Sequence, residues 1–281
     1  MKLCLNWLNK ALVHEKCWLM YLIVMTSLLM WYAPLTIWTL FSLGCIGLVI
    51  TLVSCKSDYM RLGIYFILMN IVFNAIKYIS PKINPNGLKD ELLYKADIFL
   101  TGHNWSVVLE KFSTPFWTEI LSFAYMIFML QLFLRTMMYL FWDKSEVRQR
   151  YFGGLMTLYA FGYLGYIFMP AVGPYIYLAD VFKDPLNAGV MRDLLNWSYP
   201  KGTNYSDVFP SLHCGVSLFI LLADYAYHRR IFYVSLIPCV LLWFSTVYLR
   251  YHYLVDCIAG FSLAILCFIV MKKMKVKKEV E

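Results

Sequence analysis

The chain is 281 residues long, 61% hydrophobic and only 15% charged, which leaves too little polar surface to cover its apolar mass and excludes an ordinary soluble domain. Its formal charge of +8 does not point to nucleic acid, because the basic residues form no single patch and show no aromatic interleaving. They sit at the ends of apolar runs, as membrane topology requires. Alternating ten-residue segments are absent, which excludes a closed barrel and leaves an all-α, polytopic membrane protein.

Apolar runs long enough to cross about 30 Å of hydrocarbon fall at 17–33, 35–54, 62–80, 116–141, 151–169, 211–227, 231–249 and 255–271. They predict about eight transmembrane helices. The first two are joined by Tyr32-Ala33-Pro34, a tight reversal. The first run is followed at once by another and lacks a small-residue cleavage pattern, so it does not read as a signal peptide. Two units are expected: N-terminal transmembrane helices over 1–80 and a membrane domain over 81–281. Within the second, Asp97 to Phe112 (DIFLTGHNWSVVLEKF) mixes apolar and polar residues in segment 81–114 and predicts a helix lying in the interface. The stretch 171–210 is a loop of a length that calls for a function or for structure of its own.

The eight cysteines, among them Cys45, Cys239 and Cys267 inside apolar runs, show no C-x-x-C spacing and no His/Cys ligand cluster. They read as small buried hydrophobes, with no disulfide or zinc framework. Basic residues assign the sides. The tail Lys272 to Lys278, the pair Arg229-Arg230, the segment Lys144 to Arg150, the segment Lys56 to Arg61 and the N-terminal Lys2, Lys10 and Lys16 all fall on one side. They hold fifteen of the 25 Lys and Arg residues, against eight on the other side. An even number of spans with both termini cytoplasmic follows. A bacterial inner membrane is the expected location, with segments 81–114, 171–210 and 249–255 on the periplasmic or lumenal face.

The chemistry-bearing residues collect on that face. His213 begins the sixth span, and His252 and Asp256 begin the eighth. The spacing of His252 and Asp256, i and i+4, stacks them on one helix face about 6 Å apart. A carboxylate so placed accepts one ring N–H of the imidazole and raises the nucleophilicity of the other nitrogen. His213, brought level by antiparallel packing, could act as general acid and base. Arg250 could pair with phosphate oxygens, and the helix start at Pro210-Ser211 offers N–H groups to an anion. Each residue also has a plainer reading. Ser211 and Asp256 could be helix caps, Arg250 could snorkel to a headgroup, and a single His at a span end could be an interfacial hydrogen-bonding residue. Convergence of three ionisable groups at one membrane depth favours the functional reading.

The strings Pro210-Ser211-Leu212-His213 and Tyr248 to Asp256 (YLRYHYLVD) resemble the second and third motifs of the phosphatidic-acid phosphatase type 2 superfamily, P-S-x-H and H-x-x-x-D preceded by S-R. They look most like its inositolphosphotransferase branch, which contains the inositol phosphorylceramide synthases. Tyr166 to Pro174 (YIFMPAVGP) resembles that branch's proline-rich element. The likeness covers roughly 95–271 and implies a six-helix phosphatase-like core. It implies His252 as nucleophile, Asp256 as its orienter and His213 as acid and base, in a metal-independent reaction through a phosphohistidine with no cofactor. Two departures stand out. Thr246 follows Ser245 where the superfamily has an arginine, so that phosphate contact is missing or comes from Arg250. The first motif's Lys and Arg before a proline are absent around Met169-Pro170 and Gly173-Pro174. Arg250, Ser211, Thr246 and Pro174 are the candidate substrate-binding residues.

The implied reaction moves a phospho-head group, phosphoinositol on the resemblance, from a phospholipid donor to a lipid alcohol such as ceramide or diacylglycerol. The alternative enzyme is a lipid phosphate or polyprenyl diphosphate phosphatase using the same residues. The alternative class is a non-catalytic membrane scaffold. The partners expected are the two lipids and the bilayer, with no nucleic acid.

Overall fold

The computed structural model describes residues 13–32, 35, 58–84, 87–186, 188–202, 206–274 and 276. Over these residues the chain is helical, with no strand. The helices are α1 (Val13–Tyr32), α2 (Asp58–Ile83), α3 (Asp90–Thr101), α4 (Trp105–Glu110), α5 (Pro115–Phe141), α6 (Ser145–Phe168), α7 (Pro174–Tyr177), α8 (Val190–Gly202), α9 (Leu212–Tyr227), α10 (Arg229–Tyr248) and α11 (Leu254–Lys273). The expected spans fall on α1, α2, α5, α6, α9, α10 and α11. The expected span 35–54, apart from Leu35, lies outside the described residues, as do the Ala33-Pro34 reversal, Cys45 and most of the basic tail.

Among the described residues α5, α10 and α11 are long and apolar enough to cross a membrane. α6 is as long but less apolar, because α1, α2, α9 and α11 pack around it in place of lipid. Its tyrosines and glycines therefore face protein. One apolar core runs from Trp18 and Met25 on α1 through Phe152 and Leu155 on α6 to Phe219 on α9. The Trp18 Nε1–H donates to the Met156 carbonyl at 2.9 Å, so α1 shares the core of the helices that follow. Cys214, Cys239, Cys257 and Cys267 are buried.

Short turns make α5 and α6, and α9 and α10, antiparallel neighbours, and α9 packs against both α10 and α11. α9 and α11 approach backbone to backbone. A Cβ on Gly260 would run into the Ser211 carbonyl and come within 3.2 Å of the Gly215 nitrogen, the small-residue contact that lets membrane helices close up. At one end of the bundle a buried polar cluster ties three helices together. The Arg135 Nε donates to Asp224 at 3.0 Å, the Tyr139 hydroxyl donates to the same carboxylate at 2.9 Å, and the Arg135 Nη2 donates to the Ser235 hydroxyl at 2.7 Å. His228 contacts Asp143 there at 3.0 Å.

The opposite end carries the irregular segments. The helix expected over 97–112 is two helices. Gly102 ends α3 in a left-handed conformation, φ 78°, a geometry that favours glycine, and the Asn104 side chain restarts the chain by accepting from the Val107 N–H at 3.2 Å. The stretch 171–210 holds α7 and α8, with α8 lying on α5. Glu119 of α5 caps α8, accepting from the Gly189, Met191 and Arg192 N–H groups at 3.0, 2.7 and 3.2 Å.

Candidate active site

Ser211 caps α9, its hydroxyl accepting from the Cys214 N–H at 3.4 Å, and this fixes His213 in the helix's first turn. The next imidazole is held differently from the sequence expectation. His252 is not on the helix with Asp256: α10 ends at Tyr248, α11 begins at Leu254 after its cap Tyr253, and His252 lies in the loop between. The physical reason is a chain reversal at Arg250, which takes φ 69°, a strained value for a residue with a side chain. The Thr246 carbonyl then accepts from both the Tyr251 and His252 N–H groups, at 3.0 and 3.1 Å.

Despite the break in the helix, the pair still meets. Asp256 Oδ2 is 3.6 Å from His252 Nδ1 and accepts the Tyr253 N–H at 2.8 Å. The carboxylate therefore caps α11 and faces the imidazole at once. On the other side of the ring, His252 Nε2 stands 3.4 Å from His213 Nδ1, with the rings at 61°. The Tyr125 hydroxyl lies 3.5 Å from the same His213 nitrogen, and the Tyr125 and Phe128 rings pack on His213 at centroid distances of 4.5 and 5.1 Å. His252 is 2% exposed, and burial pulls its pKa below the ordinary imidazole value. His213 lines a cavity of about 360 Å³ between α5 and α8, beside Asp207, Tyr125, Tyr199 and Ser198, with Met126, Met129 and Leu195 making it largely apolar.

Two carboxylates on α3 hold this arrangement, and neither is singled out by motif. Asp90 accepts from the Val172 and Gly173 N–H groups at 3.0 and 2.9 Å and from the Tyr253 hydroxyl at 3.0 Å. Asp97 accepts from the Leu254 and Val255 N–H groups at 3.0 and 2.8 Å, the first turn of α11. Burial pushes both acids up, and those N–H bonds pull the other way. The available signal is spacing: Asp90, Leu93 and Asp97 are the buried positions of α3, at i, i+3 and i+7 on one face. Gly173, at φ 81°, lets the 171–177 segment close on the site loop, because a Cβ there would run into the Tyr251 carbonyl.

The other candidates are placed as follows. Pro174, buried, opens α7 and is followed by the Tyr175 N–H, which donates to the Arg250 carbonyl at 2.6 Å. The Arg250 guanidinium lies over the Phe182 ring at 3.9 Å, donates to the Asp184 carbonyl at 2.7 Å and pairs with Glu110 at 3.3 Å. Burial draws its pKa down while Glu110 and Asp184 oppose this. It does not line the cavity. The Thr246 hydroxyl donates to the Trp243 carbonyl at 2.8 Å and contacts Cys257 Sγ at 3.4 Å. Arg192, 1% exposed, donates to the Tyr251 hydroxyl at 3.3 Å and has its Nε without a hydrogen bond. Among the described residues no three His, Cys, Asp or Glu side chains are grouped to hold a metal ion.

Comparison with known proteins adds the family. A family model described as the PAP2 superfamily matches residues 91–270, more than half of the chain. The chain belongs to the PAP2 superfamily. This PAP2 protein is 33% identical over 110 residues to a PA-phosphatase related-family protein of Dictyostelium discoideum, a match covering 37% of this chain and 19% of that protein. The chain thus spans about a fifth of the length of the curated relative it matches. No solved structure matches it. The superfamily is one of phosphatases and phosphotransferases, and with its apolar helices this PAP2 protein is an integral membrane protein.

Proposed function

We infer that this PAP2 protein is a membrane lipid phosphotransferase that moves a phospho-head group from a phospholipid to a lipid alcohol through a phosphohistidine. The observation that carries the reading is the meeting of His213, His252 and Asp256 beside a largely apolar cavity. Asp256 orients the Nδ1–H edge of His252 and leaves a lone pair on Nε2. That nitrogen attacks the donor phosphorus. The bond from phosphorus to the diacylglycerol oxygen breaks, and His213, protonated, gives that oxygen its proton. The head group is now bonded through phosphorus to His252 Nε2. The acceptor hydroxyl then yields its proton to His213 as its oxygen attacks phosphorus, the N–P bond breaks and His252 returns neutral.

Nε2 faces His213 at 3.4 Å, so in this reading the His213 ring turns aside for the donor to reach it. The phosphate's charge is met by the N-terminal end of α9, since Arg250 is engaged by Glu110 and Asp184. A bound alcohol outcompetes water through its effective concentration. The active end faces away from the cytoplasm, opposite the basic ends of the spans. Labelled phospholipid supplied in mixed micelles with ceramide and diacylglycerol tests the reaction. A new phospho-head-group lipid is expected, reduced on the order of 10³-fold or more by His252→Ala. Release of the soluble phospho-head group in its place would make water the acceptor, and inorganic phosphate released from a labelled phosphate-monoester lipid would make the protein a lipid phosphatase. Full turnover by the variant would overturn the mechanism.

A further inference from the structure

A second cavity, of about 190 Å³, lies between α3, α4 and the segment that follows α7. It shares no lining residue with the cavity beside His213. Four aliphatic side chains, Val107, Val108, Leu178 and Val181, form most of its wall, and Asn104, at the start of α4, completes it.

Asn104 is 5% exposed, and only half of its amide is used. The side-chain oxygen caps α4 by accepting the Val107 N–H at 3.2 Å, which settles which edge of the amide is oxygen. The other edge, Nδ2, is buried and has no hydrogen-bond partner. The polar groups around it are engaged with one another. The Trp105 Nε1–H donates to the Thr101 hydroxyl, which in turn donates to the Asp97 and His103 carbonyls, each at 3.0 Å. A buried donor without an acceptor is rare and calls for a reason. An oxygen arriving in the cavity supplies the missing partner.

The walls select the kind of oxygen. An anion finds no lysine or arginine among the described residues that line the cavity, so its charge would leave water without compensation. A carbonyl gives up less on leaving water and accepts an amide N–H as readily. The aliphatic side chains then take the methylenes next to it. An acyl ester or amide brings both parts, a carbonyl at the head of a hydrocarbon chain. Its source is at hand: Phe99, four residues before His103 of the cavity wall, is 88% exposed, and Leu92 and Leu100 of the same helix are exposed too, bulky apolar groups suited to a membrane interface.

We propose that this cavity is a second lipid site, in which the carbonyl of an acyl lipid accepts from Asn104 Nδ2 and the first methylenes of its chain lie against Val107, Val108, Leu178 and Val181. The site stands independently of the group-transfer reading, since it draws on none of the residues assigned to that reaction.

Photolabelling tests it. The purified full-length protein in detergent is irradiated with a diacylglycerol that carries a diazirine beside one ester carbonyl, and adducts are located by peptide mass spectrometry. Label is expected within 104–108 and 178–181. Unlabelled dioctanoylglycerol should lower it about tenfold, whereas the dioctyl diether of glycerol, with the same chain length and no carbonyl, should change it by less than about twofold at the same concentration. Asn104→Asp keeps an oxygen to cap α4 and loses the amide donor, so label there should fall about tenfold at an unchanged melting temperature. Equal competition by the diether overturns the proposal in the wild-type protein, whatever the variant does. Full labelling of Asn104→Asp overturns it as well, as does label confined to the cavity beside His213. Absence of label from both cavities, the result if water alone fills this one, does the same.

Discussion

In the proposed reaction His252 acts only while its ring is neutral. Burial lowers its pKa, so as the solution is acidified the ring stays neutral through the ordinary imidazole range near about 6.5. The acid limb of the kcat/KM profile is therefore expected below that value, and a limb at or above it would show that another group governs the nucleophile. The same shift has a stability sign. The unfolded imidazole takes up its proton first, so this residue lowers stability as pH falls below about 6.5. At this scale the sequence was legible for placement at a helix start: His213 and Asp256 sit in the first turns of α9 and α11, where the apolar runs begin. It was illegible for Arg250, whose partners Glu110, Asp184 and Phe182 lie far along the chain and are brought near only by the folded loops.

Helix α3 sets the geometry of the site from outside the catalytic set. Asp97 supplies acceptors to two N–H groups at the start of α11 and adds a negative charge at the positive end of that helix. Asp97→Ala leaves both groups unpaired and removes a cap worth about 1 kcal/mol. Because those residues begin one position beyond Tyr253, the neighbour of His252, steady-state kinetics should show kcat lowered roughly 10-fold to 10²-fold with a much smaller change in KM, partly restored by Asp97→Asn, which keeps one acceptor oxygen. Equal losses in Asn and Ala variants, or an effect on KM alone, would contradict a positioning role. The long apolar runs were readable because hydrocarbon thickness fixes their length. The break at Gly102 was not, since an amphipathic pattern runs through it unchanged, and the roles of Asp90 and Asp97 stayed hidden because their partners are backbone amides, which have no sequence signature.

Across the whole molecule the bundle has one end that carries the two histidines and one end closed by Arg135, Asp224, Tyr139 and Ser235. Asp224 is fully buried, so Asp224→Ala strands a guanidinium in the interior at a cost of about 3 kcal/mol or more. Thermal unfolding in detergent should show a clear fall in Tm, while kcat/KM per folded molecule changes little; a collapse of turnover without loss of stability would tie this end to catalysis. The contact of Gly260 with the Ser211 backbone has a further consequence. It fuses α9 and α11 into a single lever, whereas His252 hangs from α10 through the Thr246 carbonyl. Thinning or stretching the bilayer tilts spanning helices, but a tilt shared by the fused pair leaves the imidazoles in register. Movement of α10 against that pair instead pulls on the Thr246 contacts to the loop, whose other end Asp256 holds to α11, so lipid thickness reaches the chemistry through the loop between these two helices.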